Sequence, residues 1–227
     1  MRIDILTVVP KLLKSPLSDS IVQRAQDNEV VEIHVHDIRK WSTDKHKKVD
    51  DEPFGGIPGM VMTIQPILDA INELRSERSY DEIIYLTPDG ETLKQGRVNQ
   101  LSLANNLLMV CGHYKGIDQR LRDHVITMEL SIGDYVLSGG ELAAAVLTDA
   151  IVRLLPGAIG DEQSALTDSF QDQLLAPPVY TRPANYNGWE VPEILRSGDH
   201  AAIQNWMEQQ AIERTKSKRP DLFEKDS

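Results

Sequence analysis

Five apolar runs with β-branched residues recur along the chain, at residues 3–9, 31–35, 83–86, 107–111 and 125–130, and helical patterns fall between several of them. This alternation predicts an α/β domain with a largely parallel sheet, because parallel strands must be joined by crossovers and those crossovers are usually helices. Thr63-Ile64-Gln65-Pro66 opens one such helix, with Pro66 tolerated in its first turn, Ile67, Ala70, Ile71 and Leu74 as its apolar stripe, and an end near Ser76.

With 227 residues, 41% of them hydrophobic, the chain can bury a core and form one large domain or two unequal ones. Composition changes after Pro156: residues 157–189 are rich in Gly, Pro, Asp, Ser and Gln and lack a clear period before Leu174. The expected division is an α/β domain over 1–157, a linker over 158–176 and a small helical C-terminal domain over 177–227. In the last, Ser197 or Asp199 is available as an N-cap, and Ile203, Trp206, Met207 and Ile212 recur at helical spacing.

Several classes are disfavoured. Cys111 is the one cysteine, so there is no disulfide framework and no CxxC metal or redox site. The apolar run at the N-terminus is too short for a signal peptide, and no stretch approaches the ~18 apolar residues of a membrane span. A cytoplasmic protein with no membrane partner is expected. The formal charge of −11 argues against indiscriminate binding to polyanions, and DNA is not an expected partner. Two basic stretches nevertheless interrupt the acidic background, "RKWSTDKHKK" at 39–48 and "RTKSKRP" at 214–220; each by itself is most simply a solvated face.

Three glycine-bearing stretches follow predicted strands: "LTPDG" at 86–90, "CGHYKGID" at 111–118 and "SIGDYVL" at 131–137. Ligands of open α/β sheets sit outside the carboxyl ends of strands, so the three could form one pocket; from spacing alone, three unrelated turns account for them equally well. Ser138-Gly-Gly-Glu141 reads as a capping box, Ser138 accepting from the Glu141 N–H and the glutamate reaching back. From it an almost entirely apolar helix is expected to run to Pro156-Gly157, buried against the core or a subunit interface. There is no GxGxxG fingerprint, no GxxxxGK[ST] loop and no HExxH.

"VDDEPFGGIPGM" (49–60), "CGHYKGID" (111–118), "SIGDYVLSGGELA" (131–143) and "DSF" (168–170) together resemble the bacterial tRNA guanosine-37 N1-methyltransferases, the TrmD family, and the resemblance spans essentially the whole chain. It implies a SPOUT fold: an α/β domain with a deep trefoil knot at the cofactor site, plus the C-terminal helical domain. It also implies a homodimer with active sites at the subunit interface, and tRNA as partner. The implied activity is methyl transfer from S-adenosylmethionine to N1 of guanosine 37 in tRNAs with guanosine at 36.

The residues carried over are cofactor contacts at Leu86, Pro88, Gly112, Tyr114, Gly116, Ile132, Gly133, Asp134, Tyr135, Val136, Leu137, Gly139 and Gly140. Asp168 matches the general base that must remove the N1 proton, and Arg153 the cation facing the guanine carbonyl oxygen. Read without the resemblance, Asp168 caps a turn and Arg153 pairs with Asp149 one helical turn away. His46 and Asp50 match a tRNA-facing loop; Arg182, Arg214 and Lys218 are candidate phosphate contacts. The resemblance implies Mg2+ as well, yet Lys115 stands where many members carry glutamate, Asp89 where they carry glutamine, and Ile57 interrupts the glycine run. Rival readings are a knotted methyltransferase for another RNA position, a noncatalytic RNA-binding module, and a generic nucleotide-binding α/β enzyme.

Overall fold

A computed structural model describes residues 1–159, 168–170 and 172–223, and divides into two compact units, Met1–Glu162 and Gln163–Ser227. Of the expected linker at 158–176, residues 160–167 and 171 lie outside the described residues.

The first unit begins with β1 (Arg2–Thr7), α1 (Lys11–Leu17), α2 (Ser20–Asp27) and β2 (Glu32–Asp37). Two short strands, β3 (Asp50–Asp51) and β4 (Val61–Met62), then form an antiparallel hairpin ahead of α3 (Ile64–Glu77), whose N-cap is Thr63 as the sequence predicts. β5 (Glu82–Thr92), α4 (Gln95–Leu101), β6 (Asn106–Cys111), α5 (Gln119–His124), β7 (Met128–Ser131) and α6 (Glu141–Val152) complete it.

Five strands make a wholly parallel sheet in the order β2-β1-β6-β5-β7. Both faces are buried, which is why the strands read as near-continuous apolar runs. Ile3, Ile5, Ile84, Leu107 and Met109 pack against α1, α2, α4 and α6; Leu6, Ile83, Leu108 and Val110 pack against α3 and α5.

Three sequence expectations change. The strand expected at 83–86 continues to Thr92, but Leu86 and Glu91 both pair with Leu130, so the "LTPDG" segment is pushed out of the ladder between them. The strand expected at 125–130 starts only at Met128, because Val125 caps α5 and the chain turns through the next residues before joining the sheet. The capping box does not form: Gly140 is the N-cap without a side-chain cap, α6 spans 12 residues, and the Glu141 side chain turns into the core.

In the second unit, α7 (His200–Lys218) is capped by Asp199, whose carboxylate accepts from Ala202 N–H at 3.1 Å. A hairpin of β8 (Asn185–Tyr186) and β9 (Trp189–Glu190), absent from the sequence reading, turns through Asn187-Gly188, both at positive φ. Asn-Gly is the strongest short hairpin signal, and here it lay unrecognised in the stretch expected to be a small helical domain. Among the described residues no helix is long and apolar enough to cross a membrane.

At the amino end of the sheet, fully buried Asp4 accepts from Arg2 at 2.8 and 3.0 Å, from the His36 ring at 2.7 Å and from the Tyr80 hydroxyl at 2.8 Å. Burial pushes its carboxyl up, but hydrogen bonds from His36, Arg2 and Tyr80 outweigh that and hold it well below the usual range. A depressed folded pKa means that this stabilisation is complete above the ordinary carboxylate value near ~4 and fades as pH falls below it. Asp4→Ala is expected to cost about 3–5 kcal/mol at pH 7 by stranding its partners. Urea unfolding of both proteins at pH 7 and pH 3 should show that difference shrinking in acid.

Candidate active site

Beyond the carboxyl ends of β6 and β7, beside the segment pushed out of β5, lies a cavity of about 470 Å³. Its walls are the three glycine-bearing stretches singled out above, together with Gln119 and Arg122 of α5 and Ala143 of α6. The pocket alternative, and not three unrelated turns, is the arrangement found.

The first wall, residues 87–90, is held by its own polar groups. Thr87 Oγ1 donates to Asp89, and Asp89 accepts from Arg122 Nη2 at 2.7 Å. These bonds, the Thr87 hydroxyl first and the arginine second, hold the Asp89 carboxyl below its ordinary value. Arg122 also pairs with Glu129 at 2.6 Å and lies over the Tyr85 ring. Gly90 presses on the next strand: a Cβ there would come within 2.6 Å of the Glu129 carbonyl carbon.

The second wall turns through Tyr114 and Gly116, both at positive φ, closed by Gly116 N–H to His113 O at 2.9 Å. Buried Tyr85 lies beneath it, so close that a Cβ on Gly112 would sit 2.8 Å from the phenol oxygen. The β3–β4 hairpin is fastened to this wall from outside. Lys115 N–H donates to Met60 O, Met62 N–H to Gly116 O and Asp118 N–H to Met62 O, at 2.9, 2.9 and 3.1 Å.

The third wall leaves β7 at Ser131, whose hydroxyl bonds both the N–H and the carbonyl of Gly133. Tyr135 N–H donates to Gly133 O at 2.9 Å, making a three-residue turn centred on Asp134. Asp134 is exposed, and of the thirteen expected cofactor contacts it is the one that does not line the cavity; the other twelve do.

The wall closes at Gly139 and Gly140. Gly140 N–H donates to Gly112 O at 2.9 Å, and a Cβ on Gly140 would meet Cys111 Cα at 2.9 Å, so the two main chains touch where no side chain fits. The next residue, Glu141, is only 1% exposed; its carboxylate accepts from Thr7 Oγ1 at 2.5 Å and from His113 Nε2 at 2.9 and 3.0 Å. A carboxylate in the first turn of α6 also complements the helix dipole. His113 and Glu141 were missed as a pair because 28 residues separate them. Cys111 is fully buried; burial first, and the Glu141 charge second, push its thiol well up, so it is not a nucleophile.

The other expected site residues are spread more widely. Asp50 lies on β3, opposite Met62. His46 belongs to an exposed turn in which the Asp44 carboxylate accepts from the His46 and Lys48 N–H groups at 2.7 and 3.1 Å. Arg153 is the C-cap of α6, at the far end from Gly140 and about 20 Å along the axis at 1.5 Å per residue, and it does not line its own chain's cavity. Asp168, Arg182, Arg214 and Lys218 belong to the second unit. There Arg182 and Lys218 are exposed, while Arg214 Nε is buried with no hydrogen-bond partner among the described residues.

The cavity fits S-adenosylmethionine in kind: apolar side chains beside main-chain donors and acceptors, approached closely at glycines. It does not fit a divalent cation held by the protein. Such an ion takes oxygen ligands, chiefly carboxylates. Among the described residues Asp89 is the one carboxylate lining the cavity, it is committed to Arg122 and Thr87, and Lys115 and Arg122, which also line it, are cations. Among the described residues no group of three or more His, Cys, Asp or Glu could hold a metal.

A parallel α/β sheet with a glycine-walled cavity at its strand ends has the ligand-binding arrangement of open α/β proteins. The description "tRNA (Guanine-1)-methyltransferase TrmD" belongs to a family model that matches residues 1–225, and the chain belongs to that family. It is 63% identical over 224 residues to a tRNA (guanine-N(1)-)-methyltransferase of Christiangramia forsetii, covering 99% of both chains. Proteins of the same name from Flavobacterium psychrophilum and Bacteroides thetaiotaomicron are each 61% identical over 99% of this chain and 100% of their own.

Gly140→Ala is expected to cost about 1–3 kcal/mol by overpacking against Cys111 and to abolish cofactor binding. Gly96→Ala on α4, where nothing lies within 4 Å of the added methyl, should instead stabilise by up to about 1 kcal/mol. Thermal melts and calorimetric titration of S-adenosylhomocysteine into both variants check the pair.

Proposed function

We propose that this protein transfers a methyl group from S-adenosylmethionine to N1 of guanosine 37 in tRNAs that carry guanosine at 36, acting as a homodimer in the cytoplasm. The observation that carries this reading is the cavity itself: twelve residues matched from the family's cofactor loops converge on one space. Membership of the family supports the reaction and its tRNA substrate.

When bound, the cofactor supplies a methyl group on a positively charged sulfur. The protein's part is to hold the acceptor and manage one proton. Guanine N1 bears a hydrogen at neutral pH and is a nucleophile only as that hydrogen leaves. Asp168 is the general base that takes it, and Arg153 stabilises the charge that builds on the guanine carbonyl oxygen. Asp50 and His46 face the neighbouring nucleotides from the hairpin side. Arg182, Arg214 and Lys218 hold phosphates, which positions the RNA without reading it.

A dimer accounts for two observations together. Leu142 and Val146 on α6 are 51% and 49% exposed on a helix whose Ala143, Ala144, Leu147, Ile151 and Val152 are core, an apolar face that a second copy would cover. Arg153, remote from the cavity of its own chain, needs a partner's cavity in order to act. A SPOUT-type trefoil knot accords with the side-chain-free contacts at Gly90 and Gly140, where the wall segments press on neighbouring main chain.

The test is label transfer from S-adenosyl[methyl-3H]methionine to tRNA transcripts with guanosine 36 and 37, beside one with adenosine 37. Label on the first alone is the expected outcome, with Asp168→Asn about 10²–10⁴-fold slower and cofactor affinity unchanged. Equal labelling of both transcripts would refute the proposed position.

A further inference from the structure

We infer that Lys115 is the resident cation of the cavity, its ammonium meeting the carboxylate on the amino-acid end of S-adenosylmethionine in place of any protein-held divalent ion. This rests on the cofactor reading proposed above.

Four observations converge on the residue. Lys115 lines the cavity. Its main chain is fixed by the 2.9 Å bond to Met60 O. Its stem runs along Gly59, with Cε and Cγ at 3.1 and 3.2 Å from where a Cβ would stand; φ is +110° at that glycine, so a side chain there is disfavoured twice over. The groove that guides the lysine is therefore built by the hairpin.

The fourth observation is the charge balance of the wall. Arg122 is taken up by Glu129 and Asp89, and His113 by Glu141. Among the described residues no carboxylate pairs with the Lys115 ammonium. It is thus a cation without a carboxylate partner among the described residues, carried by a residue that lines a cavity whose one acidic group is already paired. The proposed cofactor brings one full negative charge, its carboxylate. A charge-assisted hydrogen bond in a space partly closed to water is stronger than an exposed ion pair. Glutamate at 115 would repel that carboxylate unless a metal stood between them. Lysine removes both the repulsion and the ligand, so the exchange alters how the cofactor is held.

The experiment is calorimetric titration of two ligands into the full-length protein, in EDTA and in magnesium. S-adenosylhomocysteine carries the amino-acid end; 5′-methylthioadenosine lacks it. The wild type should bind S-adenosylhomocysteine equally well in both buffers. Lys115→Met should weaken that ligand about tenfold and leave 5′-methylthioadenosine unchanged, which also reports that the cavity is folded, and Lys115→Arg should retain most of the affinity. The inference is overturned if Lys115→Met binds S-adenosylhomocysteine like the wild type, if it loses both ligands equally, or if the wild type weakens tenfold or more on chelation. Wild-type protein that binds neither ligand would instead bring down the cofactor reading itself.

Discussion

The carboxylate of Glu141 is withdrawn from water at the first turn of α6 and satisfied by Thr7 from the end of β1 and His113 from the end of β6. A buried charge of this kind is tolerable only when fully hydrogen-bonded, so its neighbours must stand where they do. The strand ends, the second cavity wall and the start of α6 are thereby fixed to one another. Immediately before it, Gly140 lies against Cys111 and Gly112 with no room for a side chain. The cavity exists because these two constraints meet at consecutive residues.

The layered architecture was legible because a sheet covered on both faces leaves unbroken apolar runs, and the covering helices leave stripes of period 3.6. Twelve cavity-wall residues were legible for another reason, the motifs they share with a family. What remained hidden was set by distant contacts. The capping box at Ser138–Glu141 was locally sound, yet the inward partners Thr7 and His113 outcompeted it; a local rule failed at the position where the site is assembled. Asp134 stands apart from the lining at a turn shaped by the Ser131 hydroxyl and Gly133, which a motif match does not weigh. The β8–β9 hairpin was missed although Asn187-Gly188 announced it.

The residues proposed for chemistry and those that wall the cavity obey different logics. The wall is main chain and glycine, which bind shape and are hard to vary. Arg153 and Asp168 are ordinary polar residues in sequence, and only the relation to a family singles them out. Between the two lies Lys115, a charged side chain on a residue of the wall.

The β3–β4 hairpin is hydrogen-bonded through Met60 and Met62 to the cavity wall at 115–118, while its tip carries Phe54, 99% exposed. Two surfaces joined in this way share a free energy. A ligand that favours one arrangement of residues 112–118 also favours the matching arrangement of residues 50–62, and whatever settles on the hairpin returns the same bias to the cavity. Affinities measured for either ligand alone would then describe only one edge of a thermodynamic square.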